Sequence, residues 1–481
     1  MLTLFCFLSS AFAGTPSEAL MMAGRVEEAI PVAREEALAG VGDLDAHERY
    51  IDLLLTVGMA GLAEQTYRER MQDAPTDPDA HYLLGRAVTS AKDAQAAYEH
   101  ALRMQPEHAR AHMGMAAVYR ATGAPVDAEA AYRRALALDG SLSEAWVGLG
   151  SILVMTDRRE EALSTARQAM VAVPHDASAY IAVSLLAPAE AVQTLQLATR
   201  KVPGDPRVHE TLAEALLATG DAQGAVASAA AALGIDPSLP GARLVYMYAT
   251  EVQRGALDSI GYSELVALRR DATSNPAGAL AGLDGLAERY PKSSLVRMAR
   301  AQPRAATGDL SGAKADLAEA MQLDPTNSEA AAALGLLHAS TGEPASAKPL
   351  LAAAVEARPS DASLGVALAK AELAVGEAAA AASRLEALWQ TNPRSVDVLL
   401  TYAGALAATK ESDKAYRVLR DGLQSAPDAR VVLALAAAAR DVGRFEEAAD
   451  LVDQLAKQSG QEGLSRVADQ LRAQGQAASQ P

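Results

Sequence analysis

The chain has 481 residues, 60 acidic against 43 basic, for a formal net charge of −17. Nucleic acid and anionic membrane surfaces require a basic face, so this balance argues against both as partners and leaves a basic protein open. Half of the residues are apolar and only 4% are aromatic, so the core has to be built from small aliphatic side chains.

In chain order the first element is MLTLFCFLSSAFAG. Its apolar run from Leu2 to Phe12 holds three of the four phenylalanines and ends in Ala11-Phe12-Ala13, the small-x-small pattern of a signal-peptidase site. We expect residues 1–13 to be a signal peptide cleaved after Ala13, which makes the protein periplasmic or secreted. The basic residues that usually open such a segment are missing. A cytosolic protein–protein adaptor is the alternative if the segment is retained. Cys6, the one cysteine, lies within it, so the mature chain would have no disulfide, thiolate nucleophile or sulfur metal ligand. No later segment has the apolar length of a membrane span.

Beyond this segment the chain is periodic. Helix-ending prolines stand at Pro75, Pro106, Pro174, Pro203, Pro237, Pro291, Pro325, Pro359, Pro393 and Pro427, the last five 34 residues apart. Gly140 stands midway between Pro106 and Pro174, in a proline's place. Gly123, Gly220, Gly308, Gly342 and Gly376 each follow a proline by 17 residues, and Ala128, Ala162, Ala225, Ala313, Ala347, Ala381 and Ala415 recur in step. Each unit therefore reads as two amphipathic helices. Glycine permits the turn between them, alanine lets their backbones approach closely, and proline ends the second helix.

This pattern resembles the tetratricopeptide repeat family. AWVGLGSIL carries Trp146, Leu149 and Gly150 at the family's spacings, and the preceding unit supplies Tyr119, Gly123, Ala128, Tyr132 and Ala135. The resemblance implies an all-α fold, an α-solenoid of about 12–13 helix–turn–helix units forming a right-handed superhelix. Repeat arrays are expected at residues 14–250 and 276–460. Between them, 251–275 reads as an irregular helical insert, and 461–481 as a capping helix with a frayed tail. Asn275-Pro276 reads as a helix N-cap followed by proline at the first helical position. Pro31, Pro303 and Pro349 fall inside helices, where gentle kinks are expected.

No catalytic constellation stands out. Ser311 and Lys314 have Ser-x-x-Lys spacing without companion motifs. Gly148, Leu149 and Gly150 lack the strand that precedes a phosphate loop, and Gly150 reads as a packing glycine. His81, His112 and His209 share the unit position of Trp146, where a bulky group wedges between helices. His108 and His112 are four apart, without an acidic ligand motif beside them. We expect no enzyme activity, no metal and no cofactor.

In the family, first helices line a concave groove. The resemblance places its fifth-position row at Tyr82, Met113, Val147, Ile181, Glu210, Leu244, Met298, Ala332, Val366 and Leu400. Its ninth-position row is Arg86, Ala117, Ser151, Leu185, Glu214, Tyr248, Gln302, Leu336, Lys370 and Gly404. The candidate partner-binding residues are Tyr82, Arg86, Met113, Val147, Ile181, Leu244, Tyr248, Met298, Leu336, Val366 and Leu400; the competing reading is that they complete the packing between neighbouring helices. The family's carboxylate clamps and asparagine ladders do not transfer, because Asn275, Asn327 and Asn392 are the only asparagines and all flank turn prolines. The implied function is a non-enzymatic scaffold or adaptor that holds a helical or extended protein segment with apolar anchors, supporting cell-envelope assembly or secretion. The alternative is the repeat subunit of an exopolysaccharide synthesis and export machine.

Overall fold

The computed structural model describes residues 15–22, 26–40, 43–237, 239–359, 361–426, 428–459 and 462–478. The expected signal peptide and its cleavage site lie outside the described residues. Among those residues there are 28 α-helices, one 3-10 turn and no strand, and no helix is long and apolar enough to cross a membrane. The chain forms two compact units that divide between Gln253 and Arg254.

The first unit contains α1 (Pro16–Met22), α2 (Val26–Ala39), α3 (Leu44–Thr56), α4 (Ala60–Asp73), α5 (Pro78–Ala87), α6 (Ala91–Met104), α7 (Ala109–Ala121), α8 (Pro125–Leu138), α9 (Ser143–Met155), α10 (Arg159–Ala172), α11 (Ala177–Leu186), a 3-10 turn (Pro188–Glu190), α12 (Ala191–Lys201), α13 (Pro206–Ala218), α14 (Ala222–Ile235) and α15 (Pro240–Gln253). The second contains α16 (Ser259–Asp271), α17 (Pro276–Arg289), α18 (Ser294–Ala306), α19 (Leu310–Leu323), α20 (Ser328–Ser340), α21 (Pro344–Ala357), α22 (Ala362–Ala374), α23 (Ala378–Thr391), α24 (Val396–Ala408), α25 (Ser412–Ser425), α26 (Ala429–Val442), α27 (Phe445–Ser459) and α28 (Glu462–Ala478).

Local chemistry explains where these helices start. Two residues after the turn proline stands a short polar side chain that accepts from a backbone N–H of the first helical turn: Asp77, Asp176, Asp205, Ser293, Asn327, Asp361 and Ser395 all do this. Each satisfies a donor that has no partner within the helix. Asn275 caps α17 through Gly278 N–H, with Pro276 at the helix start, as the sequence indicated.

The turn between paired helices requires a left-handed residue. Gly123, Gly220, Gly308, Gly342 and Gly376 all have φ between +77° and +90°. At the same place Asp157 (φ 59°) and Lys410 (φ 64°) adopt this conformation without being glycine. Past the turn, the recurring alanines lie inside the helix pairs. Ala128, Ala162, Ala225, Ala313, Ala347 and Ala381 are fully buried, and Ala415 nearly so.

The position shared by Trp146 reaches back along the chain. His81 Nε2 donates to the Pro75 carbonyl (2.9 Å), His112 Nε2 to Pro106 (2.9 Å), Trp146 Nε1 to Gly140 (2.9 Å), Tyr180 Oη to Pro174 (3.0 Å) and Arg243 to Pro237 (2.6 Å). The accepting carbonyl belongs to the turn residue six earlier, where the preceding helix has run out of donors. In these five units the bulky group is thus a hydrogen-bond donor to the turn and not only a wedge, although Ala331, Gly365 and Leu399 hold the same position in later units without such a group.

Glycines in first helices admit rings from second helices. Tyr98 of α6 lies against both Gly85 and Gly114, and Tyr132 of α8 against Gly148. Gly150, expected to be the packing glycine, has open space around it.

Within each unit, consecutive helices pack as antiparallel neighbours. Neighbouring first helices also pack on one another (α3 on α5, α5 on α7, α11 on α13, α13 on α15, and in the second unit α22 on α24 and α24 on α26), whereas neighbouring second helices touch glancingly at most. The first helices therefore converge and form the inner face of each unit. The stretch read as an insert holds α16, which pairs with α17 as a first helix would. Residues 475–478, expected to be a frayed tail, continue α28, where Gly475 lies against Phe445 of α27.

Candidate partner-binding face

The inner face changes character along the first unit. At its start the candidate groove residues Tyr82 and Arg86 are bonded to carboxylates on other first helices. Arg86 on α5 donates to Asp52 on α3 (2.8 Å) and to Glu144 on α9 (2.8 Å). Arg110 on α7 pairs with Glu48 (2.7 Å) and Asp45, both on α3. Tyr82 is fully buried, donates its hydroxyl to Glu48, and packs its ring on Tyr98 and His108. Each arginine therefore spans two helix pairs, and together they lace α3, α5, α7 and α9 across the inner surface.

Electrostatics follow from this enclosure. Burial pushes the Asp52 carboxyl up to about 6, against the pull of Arg86, and the nearby Glu144 and Glu48 charges add to the rise. On the flank of the same stack, His47 is buried between Tyr67 and Arg70, and burial together with the Arg70 charge brings it down to about 4. His108 caps α7 through Ala111 N–H and bonds Asp79 (3.0 Å), which holds that carboxyl below its usual range. With His112 committed to the Pro106 carbonyl, the two histidines are not arranged as a ligand pair, and the described residues contain no cluster of three metal-ligating side chains.

Of the candidate residues, Tyr82, Met113, Tyr248 and Val366 are buried, so their side chains pack between helices and offer a partner no free surface. Arg86 is mostly buried and fully engaged. Val147, Ile181, Leu244, Met298 and Leu400 are half-buried, and Leu336 is exposed. The structure thus brings Tyr82 and Arg86 together at one end, but as an internal network through Glu48 and Asp52, while Met113 packs into the next cluster with Ala128, Tyr132 and Leu149.

Open apolar surface on the inner face lies elsewhere. In the first unit it is Met155 of α9 and Leu185 of α11, beside Val147 and Ile181. In the second it is Leu336 of α20 and Leu433 of α26. Sequence reasoning missed Glu48 and Asp52, although they stand 34 residues before Tyr82 and Arg86. No proline marks their unit, since Val41 takes that place. It also missed Leu433, because α26 starts two residues after Pro427 where the other units allow three.

Two family models described as tetratricopeptide repeat match the chain, one over residues 277–425 and the other over 89–143 and 177–240; together they cover more than half of it. No curated protein matches. Among solved structures, the crystal structure of the APC/C hetero-tetramer Cut9-Hcn1 is similar at 15% identity over 95% of each chain, with a TM-score of 0.35. Yeast Tom70 is similar at 16% identity over 91% of this chain and 97% of that one, with a TM-score of 0.30. MamA is similar at 23% identity over 31% of this chain and 89% of that one, with a TM-score of 0.27.

Proposed function

The chain belongs to the tetratricopeptide repeat family, and from that premise we propose that it is a non-enzymatic scaffold holding a segment of a partner protein on its inner face, in support of cell-envelope assembly or secretion. One observation carries the reading. Leu185, Leu336 and Leu433 are 68%, 45% and 62% exposed at the fifth or ninth positions of first helices, in a fold whose close contacts are made by alanine. Large apolar groups in water at corresponding positions on the inner face of each unit suit a partner helix or strand with apolar anchors. The net charge of −17 favours protein over nucleic acid. The apolar run ending in Ala11-Phe12-Ala13 supports an envelope location.

The test places a photo-crosslinking residue at Leu185, Leu336 or Leu433 in cells. Controls carry it at Val126 and Val171 on second helices, which are 77% and 83% exposed. Discrete crosslinked protein adducts are expected from the three leucine positions and not from the controls. Adducts arising equally from both sets, or from the controls alone, overturn the inner-face reading.

A further inference from the structure

Glu210 and Glu214 are the fifth and ninth residues of α13, one helical turn apart on the inner face. Unlike Glu48, Asp52 and Glu144, neither has a hydrogen bond or ion pair among the described residues. Glu210 lies against Gly241 in the first turn of α15. Burial raises the half-buried Glu210 carboxyl above its ordinary value and the Glu214 charge adds to the rise; Glu214 is solvent-exposed, and partial desolvation moves it in the same direction. In equivalent positions on the two preceding first helices stand Val147 on α9 and Ile181 and Leu185 on α11, with exposed Met155 at the end of α9. An apolar strip thus runs beside two like charges that this fold does not neutralise.

The wider charge distribution agrees. Residues 1–253 contain 32 acidic and 19 basic side chains, whereas 254–481 contain 28 and 24. The excess negative charge therefore sits mostly in the unit that carries Glu210 and Glu214.

We propose that the face made by α9, α11 and α13 binds a basic amphipathic protein segment, whose apolar side chains seat on Met155, Ile181 and Leu185 and whose lysine or arginine side chains pair with Glu210 and Glu214. This rests on the partner-binding reading above and narrows it to one chemistry. Opposite charges on adjoining surfaces select the partner and speed its capture. The apolar strip supplies the contact area. Two carboxylates one turn apart match cations three or four residues apart on a partner helix.

The test uses the whole mature chain and two fluorescein-labelled model helices of equal length, one of leucine and lysine, the other of leucine and glutamate, read by anisotropy at low and physiological salt. The leucine–lysine helix is expected to bind and the leucine–glutamate helix not. Glu210→Gln with Glu214→Gln is expected to weaken binding by about tenfold. Asp73→Asn with Asp127→Asn removes the same charge from second helices and is expected to leave binding within about twofold. Equal weakening by both pairs would mean a general charge effect and overturns the proposal, as does equal binding of the two helices. If Leu185→Asp abolishes binding while the glutamate pair is without effect, the inner-face function stands and the basic partner falls. If neither matters, both fall.

Discussion

The ring of Tyr98 fills the space that a side chain at Gly114 would need, since a Cβ on Gly114 would lie 2.5 Å from the ring Cζ. Gly114→Ala should therefore force the ring or the helix aside and destabilise the fold by about 1–3 kcal/mol, read as a lower urea midpoint. Gly150→Ala is the matched control on α9. With nothing within 4 Å, it should raise the midpoint by the equivalent of roughly 0.5–1 kcal/mol through helix propensity alone. Shifts of the same sign would refute this packing.

Lys410 and Asp157 occupy the left-handed turn that glycine fills in neighbouring units. Lys410→Gly should stabilise the chain by roughly 1 kcal/mol, because an L side chain is disfavoured at positive φ. Asp157→Gly should gain less, since a short polar side chain tolerates this region. Gly376→Ala should lose a similar amount. Urea melts at constant slope measure all three.

Two groups at the start of the first unit act oppositely on stability between pH 4 and 6. His47, brought down to about 4, is protonated earlier in the unfolded chain, so its contribution is lost as pH falls through this window. Asp52, pushed up to about 6, is protonated earlier in the folded chain, so acidification stabilises it there. Asp52→Asn should therefore make the fall in Tm from pH 7 to pH 4.5 steeper than in the parent. His47→Gln should make it shallower. A reversed order of the two slopes would contradict these environments.

Processing is expected to leave Gly14 as the first residue. Intact mass of the protein recovered from the envelope fraction of its own cells measures this directly. A mass that retains Met1 to Ala13 would count against export and in favour of a cytosolic adaptor.

Much of the fold was readable because its rules are local. Ala347 is buried, Gly342 is left-handed and Asn275 caps its helix for reasons contained within one unit. The inner face was less legible because what its positions do depends on distant units. Tyr82 and Leu185 both belong to the same two rows, yet Tyr82 is buried by Glu48 and Tyr98 while Leu185 faces water. Periodicity identifies the row; it does not say whether a residue is covered by a neighbour 34 residues away. The Trp146 position shows the same limit, since the recurrence was visible and the carbonyl it serves was not.

The reach of Arg86 and Arg110 across two helix pairs bears on how this stack comes apart. When each pair is held only by its neighbours, an end frays stepwise and amide exchange protection grades inward. Arg86 joins α5 to α9 and Arg110 joins α7 to α3, so opening any one of these helices breaks bonds that hold another. The segment from α3 to α9 should exchange its slowest amides with a single shared opening free energy, a cooperative block inside an otherwise zipper-like chain.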